Sequence, residues 1–333
     1  MGRRSRITGI RHPEGFHHQG PGSFEGWYVK LVTADREHRW AVIPGIFRGQ
    51  DGSRGGDEAF VQVLDGRTGA SSYHRFDPAE FHAATDRFDV QVGPNRFRSD
   101  GVELHLPELA GEVRFASPLD PWRVWPWAPG AMGWYAWVPA MECYHQVVSF
   151  GHALSGTLRV EDGEVDFAGG RGYLEKDWGT AFPAGYIWLH SNTFAHTDAS
   201  LMASSALIPW RGRQFRGFIV GLRHGGRLYR FATYTRARSL QMHVDDDSLV
   251  WRLRSARRPG RTPLSLEVRA DRPAGGLLHA PIRTEMHRRV EETLDARIEV
   301  TLRRGSEVLL NDVGLAGGLE VHGDIPGLLA TDE

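Results

Sequence analysis

Residues 156–169 read GTLRVEDGEVDFAG. Leu158 and Val160 alternate with Arg159 and Glu161, and after Asp162-Gly163 the residues Val165 and Phe167 alternate with Glu164 and Asp166. Alternation with a period of two is the mark of a strand with one apolar face, and Asp-Gly between two such runs marks a hairpin. The same turn signal stands at Asp65-Gly66, Asp100-Gly101 and Gly225-Gly226, and further alternating runs are GFIVGLRH, RLYRFATY, LSLEVRA and ARIEVTLRR. Helical periodicity is scarce. FDPAEFHAAT has room for a turn or two, and PIRTEMHRRVEETL spaces Ile282, Met286 and Val290 as a short amphipathic helix or a broken strand would. The expected fold class is all-β, and 333 residues suffice for two barrels or sandwiches packed together.

The 40 basic and 41 acidic residues leave a formal charge of −1, which gives the chain no electrostatic reason to bind nucleic acid. One cysteine, Cys143, excludes an internal disulfide framework and a multi-cysteine zinc site. The first twenty residues lack the apolar run of a signal peptide, and no stretch of about 18 consecutive apolar residues occurs. A soluble, cytoplasmic protein is expected, peripheral to a membrane at most, touching it transiently to collect a lipid; its oligomeric state is open. Among the basic residues only Lys30 and Lys176 are lysines. Their survival in an arginine-rich chain points to positions that need a compact ammonium.

Outward from the hairpin, residues 170–183 read GRGYLEKDWGTAFP. As a strand, this segment puts Tyr173, Glu175 and Asp177 on one face and Leu174, Lys176 and Trp178 on the other. Two carboxylates on one buried face repel, and burial disfavours charge, so at least one is expected to stay protonated; on a solvated face both would be ordinary surface acids. AGYIWLHSNTF places Tyr186, Trp188, His190, Asn192 and Phe194 on one face, the lining of an apolar pocket with polar handles or a packed core with satisfied tips. In GSFEGWYVKLV, Glu25 and Trp27 share a side with Val29 and Leu31, where Glu25 needs a partner such as Lys176 or an arginine. Residues 118–142 hold Trp122, Trp125, Trp127, Trp134 and Trp137 among prolines and glycines. They form an ordered aromatic loop, either over or between the β units or plugging a barrel end. Walker, dinucleotide, zinc-protease and nucleophile-elbow signatures are missing from the sequence, and adjacent His17 and His18 point apart in a strand; no metal site is expected.

Together FEGWYVK, MECYHQVVS, GYLEKDWGTAFPAGYIWLHSNTF and the closing GLEVHGD resemble the tocopherol cyclase family over about residues 22–323. That family is similar to lipocalin-type carotenoid hydratases and pericyclases, which implies an N-terminal barrel-like domain at 1–168 and a C-terminal lipocalin-like barrel at 169–333. The resemblance implies chromanol ring closure on a small lipophilic substrate, a prenylated quinol, without a cofactor. An acid protonates the alkene and the phenol oxygen captures the cation. On this reading Asp177 is the proton donor, held neutral by Glu175. Glu142, His145 or His190 takes the phenolic proton. Trp27, Trp137, Trp178 and Trp188 line the path of the cation, Tyr173 and Asn192 orient the oxygen end, and Glu25 stands beside them. Tyr144, Gln146 and His190 depart from the family pattern beside the expected pocket. A carrier of isoprenoid quinols, or a hydratase or pericyclase acting on another polyene, are the competing functions.

Overall fold

In the computed structural model, which describes residues 9–17, 20–50, 56–139, 141–210, 212–257 and 259–330, the chain is all-β and lipocalin-like and divides into two compact units. The first comprises Met1–Phe182 and Leu277–Arg289, and the second Pro183–Gly276 and Val290–Glu333.

The strands of the first unit are β1 (Ser23–Val32), β2 (Arg39–Arg48), β3 (Glu58–Asp65), β4 (Ser71–Phe76), β5 (Phe81–Ala83), β6 (Asp89–Val92), β7 (Asn95–Arg98), β8 (Gly101–His105), β9 (Ala110–Phe115), β10 (Cys143–Val160), β11 (Gly163–Asp166) and β12 (Arg171–Gly179). Hydrogen bonding orders them β4-β3-β2-β1-β12-β10-β9-β8-β7-β6-β5, with β11 paired to β10. The sheet curls until β6 comes within reach of β2 and β3, and its concave face closes on one core: Trp27, Val29 and Leu31 of β1, Val61 and Val63 of β3, Val90 and Val92 of β6, and Leu174 of β12. The hairpin that opened the sequence reading is β10–β11, with Leu158 and Val165 paired and buried in that core.

The second sheet is built from β13 (Gly185–Ser191), β14 (Thr193–Phe194), β15 (Ser200–Trp210), β16 (Arg213–His224), β17 (Arg227–Ala232), β18 (Arg238–Val244), β19 (Ser248–Arg254), β20 (Leu264–Asp271), β21 (Gly276–Pro281), β22 (Met286–Arg304) and β23 (Glu307–Gly323), of which Leu277–Pro281 and Met286–Arg289 belong to the first unit and the rest to the second. The order is β17-β16-β15-β13-β23-β22-β20-β19-β18. Its core gathers Ile187, Leu189, Leu201, Val220, Trp251, Val268 and Ile298. A short helix, Ile325–Ala330, buries Leu328.

Several expectations are corrected. Val160 pairs with Gly163 and Arg98 with Gly101, so the loop residues are Glu161-Asp162 and Ser99-Asp100 and each glycine closes the ladder instead of sitting in the turn. Gly225-Gly226 is the loop as read, both residues at the positive φ that such a two-residue turn demands. Of the two readings of residues 281–294 the broken strand holds, with β21 ending at Pro281, β22 beginning at Met286 and the two paired. FDPAEFHAAT holds one turn as read, the 3-10 turn Pro78–Glu80 capped by Asp77, followed directly by β5. The units divide after Phe182 and not after residue 168, because β12 is hydrogen-bonded between β1 and β10.

Candidate active site

β12 lies near the middle of the first sheet, and its alternation separates two chemistries. In an antiparallel ladder, directly opposed residues share a face. Glu25 and Trp27 of β1 oppose Trp178 and Lys176, whereas Gly26, Tyr28 and Lys30 oppose Asp177, Glu175 and Tyr173. From the other side Tyr144 and Gln146 of β10 oppose Trp178 and Lys176, while Cys143, His145 and Val147 oppose Gly179, Asp177 and Glu175. One face therefore carries the apolar core, and the other carries the acids, one histidine, two tyrosines and the buried Lys30.

On the acid face His145 stands between the two carboxylates. Its Nδ1 is 3.0 Å from Oδ1 of Asp177 and its Nε2 is 3.7 Å from Oε2 of Glu175. The Tyr173 hydroxyl donates to Oε2 of Glu175, and the Tyr28 ring meets the Tyr173 ring edge-on at 6.4 Å. Burial works to lower the pKa of His145, but the charges of Asp177 and Glu175 outweigh it and raise the pKa to about 9. The imidazole is a cation at neutral pH. Burial and the neighbouring Glu175 push the Tyr173 phenol well above its ordinary value, and burial together with Asp177 pushes up the Cys143 thiol, whose Sγ is 3.8 Å from Oδ1 of Asp177.

His145 thus stands as an imidazolium between Glu175 and Asp177. The side chains also differ in access: Glu175 is 5% exposed and Asp177 26%. Asp177 is the member that reaches open space.

The opposite face holds a second charged group. Lys176 Nζ donates to Oε2 of Glu25 at 2.7 Å and to the carbonyl of Gly15, and lies 3.2 Å from Nδ1 of His17. It stands 4.6 Å from the Trp27 ring centre and 4.8 Å from that of Trp178. Both oxygens of Glu25 accept the His17 amide. Burial lowers the pKa of Lys176 and the Glu25 carboxylate opposes that. The pairing of Glu25 with Lys176 is the one considered from the sequence, and both lysines of the chain are buried.

The expected site residues are accordingly split. Asp177, Glu175, His145 and Tyr173 come together. Glu25, Trp27 and Trp178 lie on the core face, away from them; Trp27 is fully buried and donates its Nε1 hydrogen to the carbonyl of Glu14. Glu142 pairs its carboxylate with Arg283 at 3.3 Å, and Trp137 is exposed in the aromatic loop. Trp188 and His190 stack in the second unit, on the strand face away from Ile187 and Leu189. The alternation does not continue through Asn192, where β13 has ended, for Phe194 joins Ile187 and Leu189 in the core. His18 lies outside the described residues. Tyr28 and Cys143 were not picked out as neighbours of the acids, since only the strand register reveals them.

A family model described as tocopherol cyclase-like matches residues 71–323. The chain belongs to the tocopherol cyclase-like family. Curated members include the probable chloroplastic tocopherol cyclase of Oryza sativa subsp. japonica, 27% identical over 148 residues, which are 41% of this chain and 31% of that protein. The chloroplastic tocopherol cyclase of Zea mays is 26% identical over 107 residues, 31% of this chain and 23% of that protein. The matches thus span less than a third of those relatives. Among solved structures, that of CghA with Sch210972 shares the fold at a TM-score of 0.56 and 12% identity, covering 90% of this chain and 88% of that one.

Relative to the expectations for a tocopherol cyclase-like chain, Tyr144 and Gln146 prove to be loop anchors on the core face. The Tyr144 hydroxyl donates to the carbonyl of Val138 and its ring stacks on Trp178. Gln146 accepts from the Ala131 amide and donates to the carbonyl of Trp122. Among the described residues, His145, Glu175 and Asp177 are also the three whose ligand atoms stand close enough to hold a metal ion. A metal there would have to displace the proton on His145.

Proposed function

We propose that the chain is an acid-catalysed cyclase that closes a chromanol ring on a prenylated hydroquinone. The placement of His145 between a buried and a partly exposed carboxylate carries the reading. The proton on His145 Nδ1 passes to Asp177, and the carboxylic acid so formed protonates the trisubstituted alkene. The tertiary cation then forms beside the carboxylate that Asp177 has become, and preorganised charge at a developing cation is usually the largest single contribution to catalysis. The phenol oxygen closes the ring, and its proton returns through Asp177 to His145. Substrate and product have the same atoms, so no co-reactant is consumed.

Glu175 holds the imidazole, and Tyr173 holds Glu175. General acid catalysis supplies about 10²–10⁴-fold; the remainder is assigned to holding the phenol against the nascent cation. The test is incubation of the full chain with a prenylated hydroquinone under reducing conditions. A product of unchanged mass and shifted retention, absent with Asp177→Asn, is the expected result. Binding without product would make the chain a carrier, and a product heavier by one water would make it a hydratase.

A further inference from the structure

We infer that the aromatic loop between β9 and β10 is a rigid wedge that seats in the headgroup region of a lipid bilayer. Trp125, Trp127, Trp134 and Trp137 are all exposed, Trp127 to 71%. At the tip, Trp125 and Ala128 exchange backbone hydrogen bonds at 3.3 and 3.0 Å, and the Trp125 and Trp127 rings stack at 5.8 Å. Trp137 donates its Nε1 hydrogen to the carbonyl of Pro126, which ties the far side of the loop to that turn.

The loop is not loose. Trp122 is buried against Phe150, and Gln146 clamps Trp122 and Ala131 from both of its amide ends. A Cβ on Gly130 would fall 1.9 Å from Oε1 of Gln146, so the clamp needs glycine there. Large indoles are therefore held in water by a frame that prevents them from folding inward. The ordering cost of binding has been met within the fold.

Chemistry selects the occupant. From Pro121 to Met141 the only charged residue is Arg123, so the face offers hydrogen-bond donors and one cation but no carboxylate. Aromatic rings with one arginine also make up the core of a protein interface, so a second copy of the chain is the competing occupant and an outcome of the test below. Ester carbonyls and phosphates above acyl chains want what is present: amphipathic rings with an N–H, and a cation. The loop ends on β10, whose second and third residues past Glu142 are Tyr144 and His145. A lipid-seated wedge thus adjoins the strand of the proposed acid site. This role rests on the reading of the substrate as a lipophile, but its test needs no substrate.

The full chain is mixed with vesicles of phosphatidylcholine and phosphatidylglycerol in equal parts, with and without brominated acyl chains. Co-flotation, a blue shift of tryptophan emission and quenching by the brominated lipid are expected. A Trp125→Ala, Trp127→Ala double variant should lose vesicle affinity by about tenfold or more while keeping its Tm. Absence of flotation and quenching in the unaltered chain, or undiminished binding by the variant, would overturn the inference. So would a concentration-dependent dimer that the variant abolishes, since the wedge would then pack on a second copy. Failure of ring closure with intact vesicle binding would count against the proposed reaction alone.

Discussion

Oδ1 of Asp177 lies 3.0 Å from Nδ1 of His145, although 32 positions separate them, because β10 and β12 pair with these two residues directly opposed. In the reaction proposed above, His145 stores the proton at neutral pH, Glu175 holds the ring from behind, and Asp177 delivers from the accessible side.

Replacing His145 with glutamine removes the stored charge and leaves the two carboxylates facing each other. Turnover of a prenylated hydroquinone should fall by about 10²–10⁴-fold. Asp177→Asn should cost as much, and the double variant little more than either, since groups that act as one unit are not additive. Product formation followed by chromatography reads all three.

The pKa of His145 is raised from 6.5 to about 9, so its contribution to stability is fully present below pH 6.5 and is lost as pH rises through 9. The size is on the order of 3 kcal/mol. Denaturant unfolding at pH 6, 7.5 and 9.5 should show this fall as the difference between the unaltered chain and His145→Gln, since His152 and Lys176 contribute equally to both, and turnover should decline over the same range.

Tyr173→Phe deletes the hydroxyl that donates to buried Glu175. An under-bonded buried carboxylate costs about 1–3 kcal/mol. Glu175 should then bind its proton more readily and weaken its hold on His145. The pH at which turnover declines should move down, a shift that a purely structural role would not produce.

Lys176→Met leaves Glu25 buried without its cation, and Glu25→Gln does the reverse. Each should lower stability by about 3–5 kcal/mol, because breaking a buried pair leaves an uncompensated charge. The double variant Lys176→Met, Glu25→Leu should recover part of that loss. Lys176→Arg should not rescue, since the planar fork of arginine does not fit a point enclosed by Glu25, the Gly15 carbonyl, His17 and two indoles. Urea midpoints decide.

Gly130→Ala should drive Gln146 off its two partners, given the positive φ of Gly130 and the close approach of Oε1. The expected loss is about 1–3 kcal/mol, with faster acrylamide quenching of the loop tryptophans.

The strand faces were legible because a period of two writes them directly into the sequence. Glu175 and Asp177 do share a side, and Glu25 beside Trp27 did signal a buried partner. Which face is the core was not legible, since both carry aromatic rings; this is why Trp27 and Trp178 were grouped with the acids, which lie on the other face. The position of His145 was also hidden. β10 carries irregularities between Val147 and His152, and such bulges reset register without leaving a mark in the local pattern. The turns at Asp100 and Asp162 were read one residue late, because Asp-Gly suits both the loop and its closing pair.

β12 is the final strand of its sheet in chain order, yet it fits between β1 and β10. During synthesis the earlier strands must wait as two ribbons with unsealed inner margins, the kind of edge that templates pairing with other chains. The nascent polypeptide should therefore depend on holding chaperones until residue 179 has emerged, and a protein truncated before that point should aggregate instead of giving a smaller folded product.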